Sequence, residues 1–122
     1  MPKILIVNDV AIVNKIIKKK LEQEEGFSVD TVLTGNEGIA KALENSYDIF
    51  LLDYYLPDIN GDKVCEAIKA SLNGQKPIYF TSSMDKTSMA EVIQKTGAQG
   101  YMDLAMDVDE LAKQLKALTS RA

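Results

Sequence analysis

The 122-residue chain contains no histidine and a single cysteine, and these two shortages remove several chemistries at once. One cysteine cannot form an intramolecular disulfide, so no covalent staple supports the fold. Without an imidazole partner, Cys65 belongs neither to a Cys–His nucleophile pair nor to a structural zinc site. It sits beside Val64, Ala67 and Ile68 and reads as a small packed hydrophobe. Long apolar runs are missing as well. The stretch Lys-Ile-Leu-Ile-Val-Asn at 3–8 is far shorter than a signal-peptide core or the ~20 apolar residues of a membrane span. Prolines, glycines and serines never gather into a linker long enough to divide the chain. Lysine and arginine number 14 against 18 aspartates and glutamates, a net charge of −4. That balance disfavours a sequence-independent grip on nucleic acid or on an anionic membrane surface.

What is present is an ordinary globular mixture, 46% hydrophobic and 26% charged, at a length suited to one domain. The expectation is a single soluble domain over 1–122, with no effector domain in this chain, in a reducing compartment read as the cytoplasm. Short apolar runs recur at Ile4–Val7, Phe27–Leu33, Ile49–Leu52, Ile78–Phe80 and Gly100–Met102. Most are unbroken, as strands covered on both faces are, while Phe27–Leu33 alternates and suits an edge. Amphipathic stretches lie between them. Ile12, Ile16, Ile17 and Leu21 mark the buried face of a first helix, with Gly26 at its end. Thr34-Gly35-Asn36-Glu37 is a capping box ahead of Ile39, Ala40 and Leu43. Asn60 or Gly61 opens a third helix through Val64, Ile68 and Leu72. Asp85 opens a fourth through Met89, Val92 and Ile93, and Asp107 a fifth through Leu111, Leu115 and Leu118. This alternation predicts an open parallel α/β sheet with helices on both faces.

In such folds the chemistry gathers beyond the carboxyl ends of the strands, where strand order reverses. The residues found there are Asn8 and Asp9, then Asp53, then Thr81 with Ser82 and Ser83, then Asp103 and Leu104. A lone Asp after an apolar run is usually a turn or cap residue. The coincidence of Asp9, Asp53 and Thr81 at three separate strand ends points further. Two carboxylates at one spot suit a hard divalent cation with oxygen ligands, Mg²⁺ above all. A carboxylate beside such a cation is also a nucleophile towards a phosphoryl group, forming an acyl phosphate.

Four blocks carry a family resemblance: Ile4-Leu5-Ile6-Val7-Asn8-Asp9, Leu51-Leu52-Asp53-Tyr54-Tyr55-Leu56-Pro57-Asp58-Ile59-Asn60-Gly61, Pro77-Ile78-Tyr79-Phe80-Thr81-Ser82 and Gly97-Ala98-Gln99-Gly100-Tyr101. From Lys3 to about Leu118 the chain resembles the receiver domain of two-component response regulators. The resemblance implies a flavodoxin-like (βα)5 fold with strand order 2-1-3-4-5, and a signalling role rather than an enzymatic one. It implies Asp53 as phosphoacceptor, served by a sensor histidine kinase or a phosphotransfer protein. Mg²⁺ would be held by Asp9, Asp53 and the backbone carbonyl of Tyr55, with Asn8 acting through water. Thr81 matches the switch hydroxyl and Tyr101 the switch aromatic that follows it inward, while Pro57 and Gly61 shape the loop after the acceptor strand. The fourth helix, fifth strand and fifth helix would form the face for a downstream target or a second copy. Four of the five methionines, Met84, Met89, Met102 and Met106, fall in that region, either as core filler or as an adaptable contact surface.

Two positions depart from the family pattern. Asn8-Asp9 replaces a pair of acids, and Leu104-Ala105 stands where a Lys-Pro pair is usual. The missing lysine normally ties a phosphoryl oxygen to the fifth strand, a charge pair worth on the order of 4 kcal/mol at ~4 Å before desolvation. Lys86 belongs to an exposed helix and does not replace it. Losing one acid and one base together leaves the site's net charge with Mg²⁺ unchanged. Asp103 should face away from the site by strand alternation. The alternative is therefore a pseudo-receiver, a protein-interaction module that works without phosphate. A haloacid-dehalogenase-type phosphatase would need an Asp where Tyr55 stands. A nucleotide or flavin binder would need a Gly- or Ser/Thr-rich loop where Val10-Ala11-Ile12 stands.

Overall fold

In the computed structural model, which describes residues 2–24, 26–81, 85–102 and 108–119, strand and helix alternate along the whole chain. The elements are β1 (Lys3–Val7), α1 (Ala11–Glu24), β2 (Ser28–Val32), α2 (Gly35–Glu44), β3 (Ile49–Leu52), α3 (Gly61–Lys69), β4 (Ile78–Phe80), α4 (Lys86–Thr96), β5 (Gly100–Tyr101) and α5 (Val108–Thr119). All strand pairs are parallel, and the sheet order is β2-β1-β3-β4-β5. The unbroken runs Ile4–Val7 and Ile49–Leu52 occupy the centre and are buried on both faces. Alternation along each strand divides the core in two. Leu5, Val7, Phe50, Leu52 and Phe80 face the helices that contribute Val64, Ile68 and Met89. Ile4, Ile6, Ile49 and Leu51 face Ile17, Leu21, Leu111 and Leu115. Each such side chain contributes roughly 1.5–3 kcal/mol on burial.

Three amphipathic faces differ from the sequence reading. Ile12 and Ile16 are 62% and 51% exposed, while Ile17 and Leu21 are buried. The stripe of α1 runs through Val13, Asn14, Ile17 and Leu21, about one residue's rotation from the reading. The cause is Asn14. Its side-chain amide donates to the carbonyls of Asn8 (2.8 Å) and Val32 (3.5 Å), so a polar residue occupies the buried face. On α2, Gly35, Gly38 and Ala42 are buried, whereas Leu43 is exposed. Close approach explains the glycines: a Cβ at Gly38 would lie 2.9 Å from a Val7 methyl. Helix α3 stops at Lys69, short of Leu72, which is 83% exposed. Asn73 takes the inward place. Its amide nitrogen donates to the carbonyls of Ala42 (2.7 Å) and Asn45 (3.0 Å), and its Oδ1 accepts the Tyr47 N–H (3.0 Å).

Cys65 is fully buried, and burial pushes its thiol above the ordinary value; it is packing, as expected. Met89 and Met102 are buried, so at these two positions methionine fills core. Met84 and Met106 lie outside the described residues. Among the described residues no helix is long and apolar enough to cross a membrane.

Candidate functional site

Each strand end is fixed by one further ladder bond beyond the strand itself. The Asn8 N–H donates to the Val32 carbonyl (3.2 Å), that of Asp53 to Val7 (2.9 Å) and that of Thr81 to Leu52 (3.0 Å). Since Val7 pairs with Leu52 and Leu52 with Phe80, Asn8, Asp53 and Thr81 stand at one level along the top of three adjacent strands. Asp9 follows Asn8 on the exposed rim.

Asp53 is half-buried. Burial pushes its carboxyl above the usual carboxylate range, and the negative charge of Asp9 pushes the same way, against the backbone N–H groups of Tyr55 and Tyr54. Asp9 and Asp53 therefore feel one another, as the adjacency of β1 and β3 requires. Two like charges held together with oxygen-only donors form a set that a hard cation relieves. Among the described residues no group of three or more acidic, Cys or His side chains is gathered at one point. A cation that keeps much of its water, as Mg²⁺ does, fits two carboxylates and a carbonyl.

Asn8 is buried, with its Oδ1 accepting the Val10 N–H (3.3 Å) and its carbonyl accepting from Asn14. It turns the chain from β1 into α1. Thr81 is also buried, and its Oγ1 has no hydrogen-bond partner among the described residues. A buried hydroxyl left unpaired costs ~1–3 kcal/mol, and it lies beside Asp53, where an added oxygen could accept from it. Tyr101 pairs with Phe80 one level below Thr81 and is 45% exposed. Its ring stands at the sheet edge and not inward. Ser82, Ser83, Asp103 and Leu104 lie outside the described residues. Lys86 begins α4 and is exposed.

The loop after β3 is held closely. The Gly61 N–H donates to the Tyr54 carbonyl (2.6 Å), and a Cβ at Gly61 would sit 2.5 Å from the Asp53 carbonyl oxygen and 2.8 Å from the Tyr54 Cα. Only glycine permits that approach. Gly61→Ala is expected to destabilise the chain by about 1–3 kcal/mol through displacement of the backbone at Asp53. A lowered urea midpoint would report it.

Two features escaped the sequence. The first is Asp58, whose Oδ1 and Oδ2 accept the N–H groups of Gly35 and Asn36, both at 2.8 Å. Nothing local in Pro57-Asp58-Ile59 signals a partner more than 20 residues away. The second is the exposed apolar strip of Val10, Ile12 and Ile16, which borders a groove of ≈ 720 Å³ lined in part by Lys15, Val32 and Leu33. Ile12 and Ile16 were legible only as part of a helix face, and that face was assigned inward.

Residues 4–116 match the family model for the response regulator receiver domain. Response regulator ArlR of Staphylococcus saprophyticus is 36% identical over 121 residues, covering 99% of this chain and 54% of that protein. The chain thus spans about half the length of the curated relatives it matches. A CheY-like receiver domain protein from Methanospirillum hungatei superposes with a TM-score of 0.89 over 98% of this chain and 94% of that one, at 24% identity, a likeness of fold. The BeF3-activated receiver domain of DrrB, a Thermotoga maritima protein, has a TM-score of 0.85 and 25% identity over 99% of both chains.

Proposed function

The chain belongs to the response regulator receiver family, and from that premise we propose that Asp53 accepts a phosphoryl group from a sensor histidine kinase or a phosphotransfer protein. A carboxylate oxygen of Asp53 attacks phosphorus, the bond from phosphorus to the donor's imidazole nitrogen breaks, and an acyl phosphate forms. The observation that carries this reading is the Asp9–Asp53 pair at adjacent strand ends, Asp53 half-buried and Asp9 exposed beside it, with the charge of Asp9 acting on the Asp53 carboxyl. Asp9, Asp53 and the Tyr55 carbonyl would hold Mg²⁺, with Asn8 reaching it through water. When bound, Mg²⁺ supplies the positive charge that lets an anionic donor approach two carboxylates. Intact mass after incubation with Mg²⁺ and a small-molecule phosphodonor tests the reading. No gain in mass favours the pseudo-receiver, to which Asn8, engaged with Val10, and Leu104 both lean.

The donor protein would dock on the strip formed by Val10, Ile12 and Ile16, because it flanks Asp9 and presents apolar side chains to solvent. Output would pass through α4, β5 and α5 to a downstream protein or a second copy of the chain. In this reading the Thr81 hydroxyl gains a phosphoryl oxygen as its missing acceptor, and Tyr101 turns inward. Leu104 supplies no cation to bridge the phosphoryl group to β5, so the coupling is weak. Moving a two-state equilibrium from 1:99 to 99:1 takes about 5.5 kcal/mol of differential interaction, and a lost charge contact shortens that supply. Beryllofluoride is expected to shift the amide signals of Asp53 and Thr81 strongly and that of Tyr101 slightly. Leu104→Lys is expected to enlarge the Tyr101 response. A full Tyr101 response in the unmodified chain would contradict weak coupling.

A further inference from the structure

The first turn of a helix leaves N–H groups with no partner inside the helix. In α2 those of Gly35, Asn36 and Glu37 need acceptors, since Gly38 already donates to the Thr34 carbonyl (3.1 Å). Thr34 Oγ1 takes the N–H of Glu37 (3.1 Å). The other two go to the carboxylate of Asp58, one to each oxygen, and these bonds hold its carboxyl below the usual range. The same turn touches the loop a second time: a Cβ at Gly35 would meet Ile59 at 2.5 Å.

Asp58 lies on the loop that runs from Asp53 to Gly61, three residues after Tyr55. The far end of that loop is tied by the Gly61 N–H to the carbonyl of Tyr54, the residue after the acceptor. Its middle has two apolar anchors, Leu56 and Ile59, which pack against the core, and between and beside them the loop faces solvent. Tyr55 is 55% exposed, and Pro57 and Asp58 are exposed too. On one side of the Tyr55 carbonyl the Tyr55 and Tyr54 N–H groups point at the Asp53 carboxylate; on the other the polar tether is the bidentate bond from Asp58 to α2. We infer that Asp58 is a positioning residue, which clamps the acceptor loop to the N-terminus of α2 and thereby holds the Tyr55 carbonyl where a metal ligand is needed. The inference rests on the reading of Asp53 and Tyr55 given above. It makes α2 part of the machinery that sets metal affinity, through the backbone N–H groups of Gly35 and Asn36.

The test is a calorimetric Mg²⁺ titration of the full chain, wild type beside Asp58→Ala, Asp58→Asn and Asp53→Asn. Asp58→Ala is expected to weaken Mg²⁺ about tenfold, the loss usual when a supporting contact is removed from a metal ligand. Asp58→Asn should fall between, because the amide oxygen keeps one of the two acceptors. Amide exchange separates positioning from mere capping. Exchange should quicken at Tyr55 and stay unchanged at Glu37 and Gly38, which Thr34 still holds. Mg²⁺ affinity within twofold of wild type in both Asp58 variants would overturn the inference, as would equal quickening throughout α2. Should Asp58→Ala not fold, Asp58→Asn carries both readouts. If wild type and Asp53→Asn titrate alike, the site reading itself falls and takes this one with it. That failure differs visibly from a wild-type site that ignores Asp58.

Discussion

Incubated with Mg²⁺ and a small-molecule phosphodonor, the wild-type chain is expected to gain one phosphoryl group and Asp53→Asn none. Asp53 is the acid that follows the buried strand β3; its N–H is fixed to the Val7 carbonyl, and on the other side the Thr81 N–H is fixed to the carbonyl of Leu52, the residue before it. A carboxamide in its place is a poor nucleophile and forms no acyl phosphate. Asp9→Asn keeps the acceptor and removes half of the charge that would hold the cation, so phosphorylation should slow by at least about a hundredfold. Asn8→Asp should do the opposite to metal binding, because it adds a third carboxylate. Asn8 is 5% exposed, so the added charge also carries a desolvation cost when metal is absent. That variant should therefore bind Mg²⁺ more tightly and be less stable without it. Equal mass gain in wild type and Asp53→Asn would remove Asp53 from its assigned role.

The strands were legible because β1 and β3 are covered on both faces and leave an unbroken apolar run of four residues each. The acids and the hydroxyl at their ends followed from that, since chemistry in a parallel sheet sits just past the strands. Helix faces were harder. Asn14 hides a polar amide in the buried stripe of α1 because it has two carbonyls to satisfy, and no pattern of apolar residues reveals a partner on another strand. The same limit applies to Asp58 and Asn73. Both are polar residues whose partners lie far away in sequence and near in space. Tyr101 was legible as a residue and not as a position, because an edge strand of two residues leaves its ring one covered side at most. Periodicity reports burial, and burial alone does not say which polar atoms have been paired inside.

In Mg²⁺-free buffer near neutral pH, Asp53→Asn is expected to melt at a higher temperature than wild type. The folded chain raises the Asp53 carboxyl above its unfolded value of 3.8, first by burial and then by the charge of Asp9. Ionised Asp53 is thus a cost to the fold. In the window between 3.8 and the raised value the folded state binds more protons than the unfolded one, so wild-type stability falls as pH rises through it. Above the window the penalty is complete. Below pH 3.8 both states are protonated and the advantage of asparagine disappears. The N–H groups of Tyr55 and Tyr54 work against the difference, because they favour the carboxylate, but the asparagine oxygen remains an acceptor for one of them. Mg²⁺ should then reverse the order. At a hundred times its dissociation constant a ligand stabilises the form that binds it by about 2.7 kcal/mol, a rise of roughly 10 °C for a domain of this size. Wild type should gain that rise and Asp53→Asn should not, so the two melting curves exchange places between metal-free and metal-saturated buffer. A variant that melts below wild type without metal would contradict the charge penalty at Asp53, and one that gains as much from Mg²⁺ would mean that Asp9 and Asp53 do not share a cation. Acidification to below pH 3.8 then separates the causes, because charge repulsion vanishes there and a packing defect introduced by asparagine would persist.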